Sequence, residues 1–127
     1  MRFIKNTSLI ILIAGYALAG LNHFINPASY YRIIPHYLPH PVLLNILAGG
    51  FEILFALLLI PVKTRCWAVY GIILMLIAFL PVHISMIADA PLKLGNLIVT
   101  PLIAWLRLAL QPVLMLWAWW HRKPNIR

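Results

Sequence analysis

Acidic residues are almost absent from this chain of 127 residues, in which Glu52 and Asp89 are the only two. Charged residues of both signs make up only 9% of the chain, whereas hydrophobic residues make up 64%. An ordinary soluble domain has about 25% charged and 45–50% apolar residues. A water-soluble fold of this size cannot bury so much apolar surface, so we expect lipid to cover much of the chain.

Cysteine is nearly absent as well, because Cys66 is the only one. A single cysteine excludes a disulfide within the chain, a C-x-x-C redox pair and an iron–sulfur ligand set. The sequence also has no haem-attachment motif and no dinucleotide-binding fingerprint. By itself the chain therefore offers nothing that would carry electrons, and we do not expect it to be an enzyme on its own.

Positive charge is more frequent, but its distribution argues against nucleic-acid binding. The net charge is +8, and the Lys and Arg residues lie mainly at the ends of apolar runs, where such residues set membrane topology. Seven would flank one side of the membrane (Arg2, Lys5, Lys63, Arg65, Arg122, Lys123 and Arg127) and two the other side (Arg32 and Lys93). The side with more positive charge is normally cytoplasmic, so the sequence predicts that both termini are cytoplasmic.

Four apolar runs are each close to the roughly 20 residues that a bilayer requires. They cover residues 7–24, 42–60, 65–88 and 97–120. The sequence predicts an all-α polytopic membrane protein, a four-transmembrane-helix bundle in a single domain of residues 1–127. The first run also resembles a signal peptide, with the small residues Ala17 and Ala19 near its end. Cleavage there would leave only three spans, so we expect this helix to be retained.

The longest connection, residues 25–41, is rich in proline and aromatic residues. The prolines exclude a long regular helix, and the apolar content is too high for a solvated loop. We expect the segment to lie in the headgroup layer; the alternative is a cover over an outward-opening cavity. His36 and His40 are four residues apart, but Pro39 disfavours a helical metal-binding pair, so no metal site is predicted.

Polar residues within the spans lie on single helix faces. Tyr16 and His23 follow the i, i+7 spacing in the first span, and Asn45 and Glu52 follow it in the second. The third span contains His83, and the fourth contains Arg107 and Gln111. Charged groups within a bilayer are costly and usually face the interior of the bundle with a partner. We expect these seven residues to line a polar cavity that binds a ligand or relays protons.

Glu52 and Arg107 are predicted to pair. Each lies ten residues after the predicted outer end of its span, at Val42 and Leu97, and therefore about 15 Å below the outer surface. Gly49 and Gly50 precede Glu52 and would allow the fourth span to approach closely. The pair would either bind a ligand or simply hold two helices together.

The chain resembles the DoxX family of small bacterial four-helix membrane proteins along nearly its whole length. The matching segments are "AGLNHFINP", "IPHYLPHP", "LAGGFEILFALLLIP", "AFLPVHISM" and "WLRLALQPVLMLWAWW". The positions that carry the family pattern are His23, Phe24, Gly49, Gly50, Glu52, Arg107, Gln111 and Pro112. His83 departs from that pattern, because relatives often have Asn there. The resemblance implies a bacterial inner-membrane location and a role in a membrane redox system, as in a thiosulfate:quinone oxidoreductase subunit.

Three functions fit these observations. The first is an accessory subunit of a membrane redox enzyme that binds a quinone or another amphipathic ligand in the polar cavity and receives electrons from a partner subunit. The second is a small-molecule carrier or exporter, which would require a homo-oligomer because four spans are few. The third is a ligand-free assembly or scaffold protein whose polar core joins the helices.

Overall fold

The computed structural model describes residues 1–94 and 96–124 of the chain. Its elements are α1 (Arg2–Ile25), α2 (Pro27–Ile33), α3 (Pro41–Leu58), α4 (Val62–Ala78), α5 (Leu80–Asp89), β1 (Leu92–Leu94), β2 (Leu97–Val99) and α6 (Pro101–Trp120). Four helical segments are long and apolar enough to cross a membrane: α1, α3, α4 together with α5, and α6. The predicted all-α four-helix membrane bundle is therefore confirmed, and the chain is a multi-pass membrane protein.

The two ends of the bundle differ in what they carry. The start of α1 and the end of α6 lie at one end, which we call the terminal side. The short helix α2 and the hairpin of β1 and β2 lie at the other end, which we call the hairpin side. Two groups of buried apolar residues hold the bundle together. One includes Leu12, Leu59, Val69 and Ile72, and the other includes Ile33, Met86, Val99 and Ala104.

The third span consists of two helices that meet at Phe79. Pro81 has no backbone N–H, and its ring would collide with the carbonyl one turn earlier in a continuous helix. The backbone N–H groups of Val82 and His83 both donate to the Phe79 carbonyl, at 3.1 and 3.3 Å. His83 therefore lies in the first turn of α5, directly after this break.

The fourth span begins four residues later than the sequence predicted. Residues 97–99 form an antiparallel hairpin with residues 92–94, in which Leu92 pairs with Val99. The side chain of Thr100 then accepts a hydrogen bond from the Ile103 N–H at 3.3 Å, and Pro101 occupies the first turn of α6. Thr followed by Pro is a helix start signal, because the hydroxyl caps a free N–H and proline has none to leave unpaired. Residues 97–99 are apolar, so the sequence prediction included them in the fourth span and placed its start too early.

Helices α1 and α3 pack at close range through glycine. A Cβ placed at Gly20 would lie 2.8 Å from the Gly49 carbonyl oxygen, and one placed at Gly49 would lie 3.0 Å from the Gly20 carbonyl oxygen. Gly49 therefore admits α1, and the prediction that Gly49 and Gly50 admit the fourth span was wrong. Gly50 faces away from this contact, since no atom of the described residues lies within 4 Å of a Cβ built there.

Candidate functional site

A cavity of about 820 Å³ lies inside the bundle, and all six helices contribute to its wall. Most of the wall is apolar, with a few polar side chains among the aliphatic and aromatic ones. The polar groups include all seven residues selected from the sequence: Tyr16, His23, Asn45, Glu52, His83, Arg107 and Gln111. The structure thus brings these residues together around one space, and their binding role stays a prediction.

The segment before α3 covers the hairpin side of this cavity. Tyr30 and Ile33 on α2, and Ile34 and Leu38 after it, all line the wall. Pro27 begins α2, a helix of seven residues that packs on α3 and α5. This placement matches the cover alternative for residues 25–41. Tyr30 is a cavity residue that the sequence reasoning missed, because nothing in the sequence distinguishes it from Tyr31.

Glu52 contacts His23 rather than Arg107, so the predicted direct pair was wrong. The Glu52 Oε2 lies 3.3 Å from the His23 Nε2, and no Arg107 nitrogen lies within 4.0 Å of a Glu52 oxygen in the described structure. The helix starts differ from those that the pairing assumed. Arg107 lies six residues after the start of α6, whereas Glu52 lies eleven residues after the start of α3.

The His23 ring is held on two sides. Asn45 donates from Nδ2 to the His23 backbone carbonyl at 2.8 Å, which directs its Oδ1 toward the His23 Nδ1 at 2.7 Å. The Tyr30 ring stacks on the imidazole with centroids 3.7 Å apart, and Asn22 donates to the Tyr30 hydroxyl at 2.7 Å. Because Asn45 presents an acceptor, the His23 Nδ1 carries a hydrogen.

The His23 Nε2 and the Glu52 carboxylate form a close pair of proton-transfer groups. The imidazole nitrogen lies 3.3 Å from the Glu52 Oε2. Imidazole and carboxyl groups are the side chains that most often act as general acids and bases. A pair of this kind on the cavity wall can pass a proton to, or take one from, a molecule in the cavity.

Four buried polar atoms on the cavity wall have no polar partner among the described residues. They are the Tyr16 hydroxyl, His83 Nδ1, Arg107 Nε and Gln111 Oε1, and a fifth atom, Glu52 Oε2, contacts only the His23 Nε2. An unpaired buried polar group costs about 1–3 kcal/mol, so four around one space form an unusual concentration. The set contains both donors and acceptors. It suits a small molecule whose polar head both accepts and donates hydrogen bonds.

The Gln111 side chain is oriented by its own helix. Its Nε2 donates to the Arg107 backbone carbonyl at 2.9 Å, which leaves Oε1 directed away from that bond as the unpaired acceptor. Arg107 also lines a second, smaller cleft on the hairpin side, together with Asn22, Asn26 and Ser29. Arg107 therefore lies between the main cavity and the hairpin-side cleft.

A second polar cluster, which the sequence reasoning missed, joins α1 to the end of α6 on the terminal side. The Trp117 Nε1 donates to the Ser8 hydroxyl oxygen at 2.7 Å, and the same oxygen lies 3.0 Å from the His121 Nε2. His121 is buried, and burial, with the nearby charges of Lys5 and Arg65, lowers its pKa to about 4. The sequence carries no signal for this contact beyond a serine and a histidine near opposite ends of the chain.

The state of His121 predicts a loss of stability in acid. The pKa of His121 is about 4 when folded and about 6.5 when unfolded, so the unfolded chain binds the proton more readily between these values. Stability should therefore fall as the pH drops from about 6.5 toward 4. Thermal unfolding in detergent at pH 7.5 and 4.5 should show a larger decrease for the natural chain than for His121→Gln, which keeps a hydrogen-bonding side chain. An equal decrease in both proteins would contradict this assignment.

Among residues 1–94 and 96–124, no group of three His, Cys, Asp or Glu side chains is placed to bind a metal ion. The residues available to hold a small molecule are those of the cavity wall.

Comparison with known proteins identifies one family. The family model described as "Domain of unknown function (DUF8561)" matches residues 12–122, which include every helix of the bundle except the first turns of α1. No curated protein and no solved structure matches the chain. The resemblance to the DoxX family has no support from these comparisons and stays a hypothesis.

Proposed function

The chain belongs to the DUF8561 family, and we propose that it binds an amphipathic, quinone-like molecule in its intramembrane cavity. In this proposal the chain is an accessory subunit of a membrane redox system in the bacterial inner membrane. Both termini face the cytoplasm, which agrees with the seven Lys and Arg residues on that side against two on the other. The hairpin side then faces outward.

The observation that carries this proposal is the concentration of unpaired polar atoms in a largely apolar cavity. A cavity of about 820 Å³ lies within the range of roughly 300–1,000 Å³ that is usual for small-molecule sites. Such sites combine an apolar wall with a few polar groups that orient the ligand. A ring with carbonyl oxygens and an apolar substituent matches both properties.

Each polar group has a role toward such a head group. The Arg107 Nε donates to a carbonyl oxygen, and a charged donor of this kind stabilises the negative charge that the oxygen gains on reduction. The His23–Glu52 pair would deliver protons to the ring oxygens, and the Gln111 Oε1 would accept from a hydroxyl of the reduced ring. Reduction of a quinone takes two electrons and two protons. The electrons would come from a partner subunit, and both protons would come from water by way of the pair, which is reprotonated after it delivers the first.

Two binding measurements test the proposal. Mass spectrometry of the organic extract of protein purified in mild detergent should reveal an amphipathic small molecule in near-stoichiometric amount. Tritiated decylubiquinone should also bind saturably to the protein in lipid nanodiscs and be displaced by the unlabelled compound. Empty nanodiscs control for partition into lipid. If no amphiphile co-purifies and decylubiquinone does not bind saturably, the proposal is wrong.

A further inference from the structure

One side of the cavity wall is formed by lipid-facing residues of α1 and α6. Ile11 and Gly15 on α1 and Leu110 on α6 line the cavity and are also exposed, Ile11 by 55% and Leu110 by 48%. In a protein whose four helical segments cross a membrane, exposed surface at these depths meets acyl chains. The cavity therefore reaches the lipid-facing surface along this line.

The packing of the bundle leaves the same line open. Helix α1 packs on α3, α3 on α4, and both α4 and α5 on α6. Among the described residues, α1 and α6 are not one of the pairs that pack extensively. The hydrogen bonds that link them, Ser8 with Trp117 and with His121, lie on the terminal side. The two helices are thus joined at one end and separate alongside the cavity.

Gly15 lies at the edge of this opening. No atom of the described residues lies within 4 Å of a Cβ built at Gly15, so the space beside it is open. The seam between α3 and α4 also has exposed residues on the cavity wall, Leu47 and Leu74, but its helices pack on each other, and a Cβ at Gly71 would overlap the Phe55 ring. Glycine in a helix interior costs about 1 kcal/mol relative to alanine. At Gly20 a close contact with α3 explains why the residue is glycine. At Gly15 the described residues make no such contact.

We propose that the seam between α1 and α6 is a lateral portal through which a long-tailed, lipid-soluble ligand enters the cavity from the bilayer. This inference rests on the proposed function and extends it to the class of ligand and its route. The polar head passes Gly15 and reaches Arg107 and the His23–Glu52 pair. The apolar tail stays in the seam beside Ile11 and Leu110 and continues into the lipid. A tail in this position remains in apolar surroundings when the head binds.

The smaller cleft on the hairpin side does not suit the same ligand. Its wall contains the polar side chains of Asn22, Asn26 and Ser29, and its volume is about 350 Å³. An apolar tail placed there would displace water from these polar groups, at about 1–3 kcal/mol for each hydrogen-bonding group left unsatisfied. The cleft suits water and protons, whereas the seam suits a hydrocarbon chain.

A first experiment locates the tail in the natural protein. A ubiquinone analogue with a photoreactive diazirine in a ten-carbon tail is bound to the protein in nanodiscs, and the cross-linked residues are mapped by mass spectrometry. We expect cross-links within residues 11–15 of α1 and 106–114 of α6, and unlabelled decylubiquinone should remove them. Cross-links at Leu47 or Leu74, on the seam between α3 and α4, or at the hairpin-side cleft would overturn the portal.

A second experiment measures the route by its rate. Stopped-flow quenching of tryptophan fluorescence follows decylubiquinone binding to the natural chain, Gly15→Leu, Gly50→Leu and Ala78→Leu. Gly15→Leu should slow association by about tenfold or more, a change within the range of one to three decades seen among variants of one binding site. Gly50→Leu is the matched control, because its Cβ also enters open space but faces away from the cavity. It should change the rate by less than about twofold.

The outcomes separate the two proposals. If the natural chain binds no decylubiquinone, the proposed function and the portal both fail. If it binds, and Gly15→Leu and Gly50→Leu give the same rate, the portal is wrong and the proposed function stands. A slower rate in Ala78→Leu alone would place the entrance between α3 and α4 and would also overturn the portal. Should Gly15→Leu not fold, the cross-links in the natural protein still decide the position of the tail.

Discussion

Arg107→Met is expected to lower the affinity for decylubiquinone by about 10- to 100-fold while the bundle remains folded. The Arg107 Nε is buried without a partner on the cavity wall, so a ligand carbonyl would receive its full hydrogen bond. A hydrogen bond to a charged group contributes about 1.5–3 kcal/mol, and each 1.4 kcal/mol is a factor of ten in affinity. Methionine has a similar length but neither charge nor donor, and it suits an apolar surrounding.

The matched control for this experiment is Arg32→Met. Arg32 lies on the same side of the bundle and donates to the Lys93 backbone carbonyl at 2.7 Å, but it is exposed and does not line the cavity. Saturation binding of tritiated decylubiquinone in nanodiscs should show the loss for Arg107→Met and little change for Arg32→Met. An unchanged affinity in Arg107→Met would remove Arg107 from the ligand site and favour a scaffold role for the polar core.

Gly20→Leu is expected to destabilise the bundle more than any comparable glycine substitution outside the α1–α3 contact. A Cβ at Gly20 would lie 2.6 Å from the Ile53 Cγ1, 2.8 Å from the Gly49 carbonyl oxygen and 3.0 Å from the Ile53 N–H nitrogen. Two of these three atoms belong to the backbone and cannot move without shifting α3. Overpacking of a tight core costs about 1–3 kcal/mol, and a backbone collision lies at the upper end of that range.

Gly50→Leu serves as the control here too, because it adds the same side chain to the same pair of packed helices without a close contact. The SDS fraction at which the protein unfolds in mixed micelles should be markedly lower for Gly20→Leu than for the natural chain. For Gly50→Leu it should be nearly unchanged. Because α3 carries Asn45 and Glu52, displacement of α3 should also weaken ligand binding in Gly20→Leu. Similar stability for both variants would show that the α1–α3 distance is adjustable.

Much of the architecture follows from the sequence because the bilayer restricts the choices. Every backbone polar group in the hydrocarbon region needs a partner within the protein, so long apolar runs become helices. The same cost turns polar side chains inward. The i, i+7 spacing of Asn45 and Glu52, and of Tyr16 and His23, therefore predicted two inward faces, and all four residues are buried. The helical repeat and the free-energy cost of a polar group in lipid both depend on residues close together in the chain. Both can therefore be inferred from the sequence.

The errors concern relations between helices. The apolar residues 97–99 could extend a helix or form a strand. They form a strand because they pair with residues 92–94. With that choice, Arg107 lies six residues into its helix rather than ten, and the depth comparison with Glu52 no longer holds. Equal depth was in any case insufficient, because it does not determine which helices are neighbours.

By itself the sequence determined four membrane helices and the set of polar residues that face their interior, since both follow from the cost of polar groups in lipid. Only the tertiary structure decided which of these residues meet. Gly20 and Gly49 bring the backbones of α1 and α3 together, and this contact places His23, rather than Arg107, against Glu52. It also leaves α1 and α6 apart beside Gly15. Such contacts depend on the fit between surfaces from distant parts of the chain, and no local pattern specifies that fit.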